Sequence, residues 1–205
     1  MKISRTCERG VFILAEVFYI KFIELESERL IYRKFNENDF AVVFDWINNA
    51  ENMKYREEPL NESQAHDYLN WLISNTNAED IAHCEYAVVR KSDNKLIGSS
   101  VLMQLPDYPE IGWTLHRNYW LQGYGTEMGK TMPQLGFGKL HLRRIIAKCL
   151  ALNIGSYKIM ERIGMRREAY FVKSKQGNSI LNHEWCDVVY YGILQEEWIM
   201  AHYLD

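Results

Sequence analysis

Residues 86–115 hold three β-type segments within 30 positions, with helical patterns on either side, and that change of period decides the class of fold. Tyr86-Ala87-Val88-Val89-Arg90 and Leu96-Ile97-Gly98-Ser99-Ser100-Val101 are joined by Lys91-Ser92-Asp93-Asn94-Lys95, a hairpin signal. Pro109 to Leu115 reads as the next strand. Upstream, Glu28 to Arg33 reads as a first strand. A helix capped by Asn36 or Asn38 follows, with Val42, Val43, Trp46 and Ile47 at helical spacing. Asn61-Glu62-Ser63 opens a second helix whose buried stripe is drawn from Tyr68, Leu69, Trp71 and Leu72. Downstream come a glycine-bearing loop and a helix from about Thr126, a strand over Arg143–Cys149, and a helix over Ile154–Ile163 closed by Gly164. Met165–Lys173 and Trp185–Leu194 form a hairpin, and a short tail helix ends the chain. The order β-α-α-β-β-β-α-β-α-β-β predicts an α+β domain rather than a βαβ repeat.

Composition excludes several classes. With 47% hydrophobic and 25% charged residues, the 205-residue chain has material for a core and is not disordered. The net charge of -3 argues against a non-specific nucleic-acid binder. No run approaches the ~18 apolar residues of a membrane helix. Cys7, Cys84, Cys149 and Cys186 show no C-x-x-C or zinc spacing, so no metal site and a reducing, cytoplasmic setting are expected. Lys2, Arg5 and Arg9 ahead of Val11–Ala15 imitate a signal peptide, but Glu16 interrupts the apolar run and no small-x-small site follows. Residues 1–24 are therefore read as an extra strand or helix ahead of a domain over 25–205, available for contacts in a homodimer.

Two segments carry chemistry. In Trp120-Leu121-Gln122-Gly123-Tyr124-Gly125-Thr126-Glu127, two glycines let main-chain N–H groups converge at the start of a helix, a main-chain anion site suited to a pyrophosphate. A tight turn needing positive φ explains the glycines equally well. The Rossmann pattern fails because Met128 stands at its third glycine, and the Walker pattern fails because Tyr124 stands at its first. The second segment is Asn153-Ile154-Gly155-Ser156-Tyr157-Lys158 through Gly164-Met165, where Asn153 and Ser156 have cap spacing. Charge is uneven as well: Glu51–Glu85 is acidic and Lys139–Gln176 basic, which reads as ordinary solvated faces or as sites for a cationic acceptor and a polyanionic cofactor.

Taken together, these segments resemble the GNAT superfamily of acyl-CoA-dependent N-acetyltransferases, in particular its RimJ/RimL-like branch. The resemblance runs from about Leu25 to Trp198. It rests on Glu28–Arg33, Glu110-Ile111-Gly112-Trp113, Gln122–Glu127, Asn153-x-x-Ser156 through Met165, and Trp185-Cys186-Asp187-Val188 with Tyr191-Gly192-Ile193-Leu194. It implies a mixed, mostly antiparallel sheet splayed between the family's fourth and fifth strands to admit acetyl-CoA. Carried over, Trp113, Thr114 and Leu115 offer main-chain groups to the pantetheine arm, and one of their N–H groups polarises the thioester carbonyl. Gln122, Gly123, Tyr124, Gly125 and Thr126 hold the pyrophosphate, while Asn153, Ser156 and Lys158 line the far side of the coenzyme. Four positions depart from the pattern. Trp120 opens the loop, Met160 stands where many relatives carry a proton-donating Tyr, Met165 replaces Phe, and Pro133 should kink or end its helix.

The implied reaction is direct acetyl transfer from acetyl-CoA to a primary amine in a ternary complex. Glu110 is the candidate base, the alternative being a structural ion pair, with Ser156 and Tyr157 as candidate acids. The acidic stretch Glu51–Glu85 is expected to face the acceptor. A protein N-terminal amine of the ribosomal-protein type is the first reading. A small amine such as a polyamine or aminoglycoside is the second, and a catalytically weak acyl-CoA binding module, suggested by Met160, the third.

Overall fold

The structure, a computed structural model, describes residues 22–77, 83–105 and 108–203. Residues 1–21 of the expected N-terminal extension lie outside the described residues. Phe22, which that reading puts in the extension, packs its ring against Tyr86, with centroids 4.7 Å apart.

Among the described residues eight strands form one sheet: β1 (Leu25–Glu26), β2 (Leu30–Arg33), β3 (His83–Arg90), β4 (Lys95–Met103), β5 (Glu110–Leu115), β6 (Arg144–Leu150), β7 (Arg166–Gln176) and β8 (Trp185–Leu194). Their spatial order is β1-β2-β3-β4-β5-β6-β8-β7, and every pairing is antiparallel except β5 with β6. Among the described residues six α-helices flank the sheet: α1 (Phe40–Ile47), α2 (Ala50–Met53), α3 (Glu62–Asn77), α4 (Tyr124–Gly138), α5 (Ile154–Arg162) and α6 (Gln195–Tyr203). The expected α+β architecture is present, with the two-residue β1 and the one-turn α2 added.

Strand alternation divides the core between the two faces of the sheet. On β3, Cys84, Tyr86 and Val88 face a cluster with Met128, Met132 and Leu135 of α4, whereas Ala87 and Val89 face Val43 and Trp46 of α1 and Leu69 and Leu72 of α3. Asn36 starts the turn before α1 with a full capping box to Asp39. Asn61 does the same for α3, exchanging hydrogen bonds with Gln64. The buried stripe of α3 is Ala65, Leu69 and Leu72, not Trp71. At 100° per residue Trp71 lies about 200° from Leu69, and it is 45% exposed. Pro133 does not end α4, which runs on to Gly138 with Pro133 buried inside it.

The feature that positions the site is a fork. β5 and β6 meet only at Glu110↔Ile146, sealed by Ile146 N–H to Pro109 O at 2.8 Å. Beyond it each strand keeps its outer partner, β4 with β5 as far as Gly98↔Leu115 and β6 with β8 as far as Leu150↔Val188. The sheet therefore opens between β5 and β6, the family's fourth and fifth strands.

Candidate active site

A cleft of about 730 Å³ lies along this fork. His116 turns its N–H to Ile97 O on β4 at 2.8 Å. Leu115 turns its carbonyl the other way, accepting from Asn52 Nδ2 at 2.9 Å and Trp120 Nε1 at 2.7 Å. By alternation, Ile111, Trp113 and Leu115 aim their main-chain groups into the opening and Thr114 aims its own at β4. Thr114 is thus the exception among the three expected main-chain ligands. Its hydroxyl faces the cleft and accepts from Arg56 Nη1. Trp120, the unusual residue at the head of the glycine loop, ties that loop back onto β5.

The cleft wall is one face of three strands. His83, Met103 and Glu110 form one cross-strand row, Glu85, Val101 and Gly112 the next, and Ala87, Ser99 and Thr114 a third. Glu110 is 5% exposed, and its Oε2 accepts from Lys148 Nζ at 2.8 Å and Gln104 Nε2 at 3.2 Å. The expected base is therefore at the fork, in an ion pair. Glu85 is buried on the wall, with His83 Nε2 at 3.4 Å from its Oε2 and the Tyr68 hydroxyl bonded to it. Burial and that carboxylate push the Tyr68 phenol well above its ordinary value. Trp71 stacks on Tyr68 and meets His83 edge-on.

Opposite stands α5. Asn153 caps it, its Oδ1 accepting from Ser156 N–H at 3.2 Å. Asn153, Ser156 and Met160 line the cleft, Ser156 and Met160 being one turn apart on the same side. Cys149 lies beside them. Burial pushes its thiol up to about 11, although the Ser156 hydroxyl bonded to it pulls the other way. Tyr157 and Lys158 are not part of this lining: Tyr157 packs against the core, and Lys158 pairs with Glu161 at 2.8 Å on the exposed side.

Gln122, Gly123, Tyr124, Gly125 and Thr126 gather at the N-terminus of α4, outside the cleft lining. Gly123 holds φ +83° as the N-cap, and no side chain caps the first turn. A helix start without a side-chain cap is, in general, able to receive an anion on its first-turn N–H groups. At Gly125 a Cβ would come within 2.7 Å of Ile159 Cδ1, so the glycine brings α4 onto α5. Glu127 would repel an anion at this helix end, but its carboxylate is turned back. Oε1 accepts from Ser27 Oγ and Arg29 N–H, and Oε2 from Arg29 Nε, each at 2.7 Å. Arg29 also donates to Gln122 O at 3.0 Å, and its guanidinium lies 4.3 Å from the Tyr124 ring centroid. The uncapped helix start and the open main-chain edge of β5 together fit a long ligand with a diphosphate at one end.

Sequence reasoning missed Lys148, Arg56, Tyr190, Tyr68, His83 and Glu85 among the lining residues. The last two carried a signal: His83 and Glu85 alternate onto one face of an otherwise apolar strand. The basic stretch is also less bare than its count suggests. Arg144 and Arg166 pair with Glu168, Arg167 with Glu161, and Lys175 with Glu57, so much of it is neutralised locally.

Comparison with known proteins agrees with this geometry. The acetyltransferase (GNAT) domain family matches residues 29–166. An uncharacterized N-acetyltransferase, YnaD, of Bacillus subtilis (strain 168) is 35% identical over 180 residues, 86% of this chain and 99% of the relative. The crystal structure of a GNAT-family acetyltransferase from Bacillus anthracis superposes with a TM-score of 0.74 at 32% identity, covering 85% of this chain and 99% of that one. A spermidine N-acetyltransferase from Vibrio cholerae, solved with CoA and spermine, shares the fold with a TM-score of 0.71 at 19% identity, over 84% of this chain and 99% of that one. The chain belongs to the GNAT family of N-acetyltransferases, enzymes that take their acetyl group from acetyl-CoA.

Proposed function

We propose that the chain acetylates the α-amine of a polypeptide N-terminus, as in the RimJ/RimL-like branch, by direct transfer in a ternary complex. One observation carries the choice of acceptor: the Lys148 ammonium at 2.8 Å competes for the lone pairs of Glu110 that a base would use. A base so engaged suits an amine that is already partly neutral. At pH 7.5 roughly a third of α-amines with pKa ~7.8 are neutral, against about one in a thousand Lys amines near ~10.4.

Acetyl-CoA supplies an activated acyl group on a good leaving thiolate. Trp113 and Leu115 orient the donor arm as an added strand, and the Trp113 N–H polarises the acyl oxygen. Glu110 receives the amine proton, directly or through water. Ser156 donates a hydrogen bond on the thiol side, where Met160 has no proton to give. The α4 N-terminus, with Gln122 to Thr126, receives the diphosphate. The three free thiols among the described residues suit a cytoplasmic setting.

A small basic amine is the second reading, favoured by the buried Glu85 and its aromatic neighbours. The deciding test is acetyl-CoA-dependent CoA release against peptides with free or blocked N-termini, a peptide whose only amine is a Lys side chain, and small amines. Turnover of blocked peptides equal to that of free ones overturns the N-terminal reading.

A further inference from the structure

Glu85 is a carboxylate on a cleft wall, 6% exposed, and burial of a charge is costly unless a counter-charge is at hand. Among the described residues its ion-pair partner is His83, whose Nε2 lies 3.4 Å from Oε2. Its other bond comes from a neutral phenol, that of Tyr68. Arg56, the nearby cation, points its Nη1 at Thr114. Tyr68 and Trp71 stack with ring centroids 6.1 Å apart and planes 19° from parallel, and both line the cleft beside Glu85. A buried carboxylate with aromatic rings around it selects cations.

Its position gives the spacing. Glu85, Val101 and Gly112 are register partners on three successive strands. Two inter-strand steps put Glu85 about 10 Å from β5, where the acyl group is presented. Val101 and Gly112 leave only small groups between the two points. The amine that reacts must be neutral at the β5 edge, so a cation drawn to Glu85 is a second group on the same acceptor.

Building on the amine-acetylation reading, we propose that Glu85, Tyr68 and Trp71 form a subsite for a second cationic group of the acceptor, about 10 Å from the amine that is acetylated. Two sources share that chemistry, a basic side chain near a peptide N-terminus and the far ammonium of a diamine. The cation places a full positive charge against the buried Glu85 carboxylate, and the rings hold its alkyl portion.

The test uses the full chain with CoA present and measures binding by calorimetry, so that it does not depend on turnover. One arm compares peptides identical except for Lys, Gln or Glu at the second or third residue. The other compares an α,ω-diamine spanning about 10 Å with the monoamine of equal chain length. The wild type is expected to favour the doubly cationic member of at least one arm by about ten-fold, and the arm that responds identifies the source. Glu85→Gln brings that ratio to about one. Trp71→Ala, at a half-exposed position that does not threaten folding, lowers it. A ratio near one in both arms for the wild type, or a ratio that survives Glu85→Gln, overturns the subsite. Acetylation of singly charged amines with a ratio of one overturns the subsite alone, whereas a Glu85-dependent ratio without acetylation of any amine overturns the catalytic reading alone.

Discussion

Arg29 lies outside the cleft lining, and it ties down the glycine loop proposed to receive the diphosphate. Replacing it with Met keeps most of its length and removes three interactions: the pair with Glu127, the bond to Gln122 O and the stacking on Tyr124. The ion pair is 41% exposed on the Arg side, so screening limits it to about 1 kcal/mol. The bond to the Gln122 carbonyl, also exposed, is worth about 1 kcal/mol and the cation–π contact about 0.5–1 kcal/mol. Stability should fall by about 2–3 kcal/mol. The last two interactions shape the loop, and without the guanidinium Glu127 leaves an uncompensated negative charge in the first turn of α4. CoA should then bind about 10–30-fold more weakly, the equivalent of about 1.5–2 kcal/mol. Pantetheine, which lacks the diphosphate, should bind Arg29→Met and wild type alike, and Arg29→Lys should fall between the two for CoA. Paired titrations with CoA and pantetheine read this directly. Equal losses for both ligands, or none for CoA, refute the loop assignment.

Glu110→Gln should lower kcat by about 10²–10⁴-fold with acetyl-CoA affinity retained, and unchanged steady-state turnover removes Glu110 as the base. Gly123→Ala forces a side chain to φ +83° and sets its Cβ 3.2 Å from Arg29 Nη2, so a loss of about 1–2 kcal/mol is expected in denaturant unfolding. Burial raises the Glu127 carboxyl, but hydrogen bonds from Ser27 and Arg29 more than reverse this, and the bond from His116 lowers Asp45. Both carboxyls end below their ordinary range, so their contribution to stability is complete above the unfolded values and is lost as pH falls through the folded ones. The melting temperature should hold from pH 7 to 5 and drop below about pH 4, less steeply in Glu127→Gln; a rise through that window refutes the assignment. Cys149, pushed up to about 11, should alkylate slowly at pH 7.5 and about ten-fold faster per pH unit up to pH 10; a flat rate in peptide-resolved mass spectrometry contradicts this.

The chain order of strands and helices was legible because periodicity and caps agreed: Asn36 and Asn61 cap as their positions suggest, and the 86–101 hairpin pairs as written. The glycine loop and the Asn153–Ser156 turn were legible because main-chain geometry demands those residue types. What stayed hidden depends on three-dimensional neighbours. Lys148 finds Glu110 only because β5 and β6 touch at one register pair, and Thr114 turns its main chain from the opening only because Ser99 is its partner. Tyr157 looked as accessible as Ser156, yet one residue along a helix is a rotation of 100°, enough to move it from the cleft to the core.

A sheet forked between β5 and β6 is left unstitched along one seam, the edge proposed to take the donor arm. Occupancy then contributes to folding by mass action, about 2.7 kcal/mol at a concentration one hundred times Kd. The lifetime of this protein in a protease-rich cell should rise and fall with the acyl-donor pool, so that scarcity of fuel thins the enzyme itself.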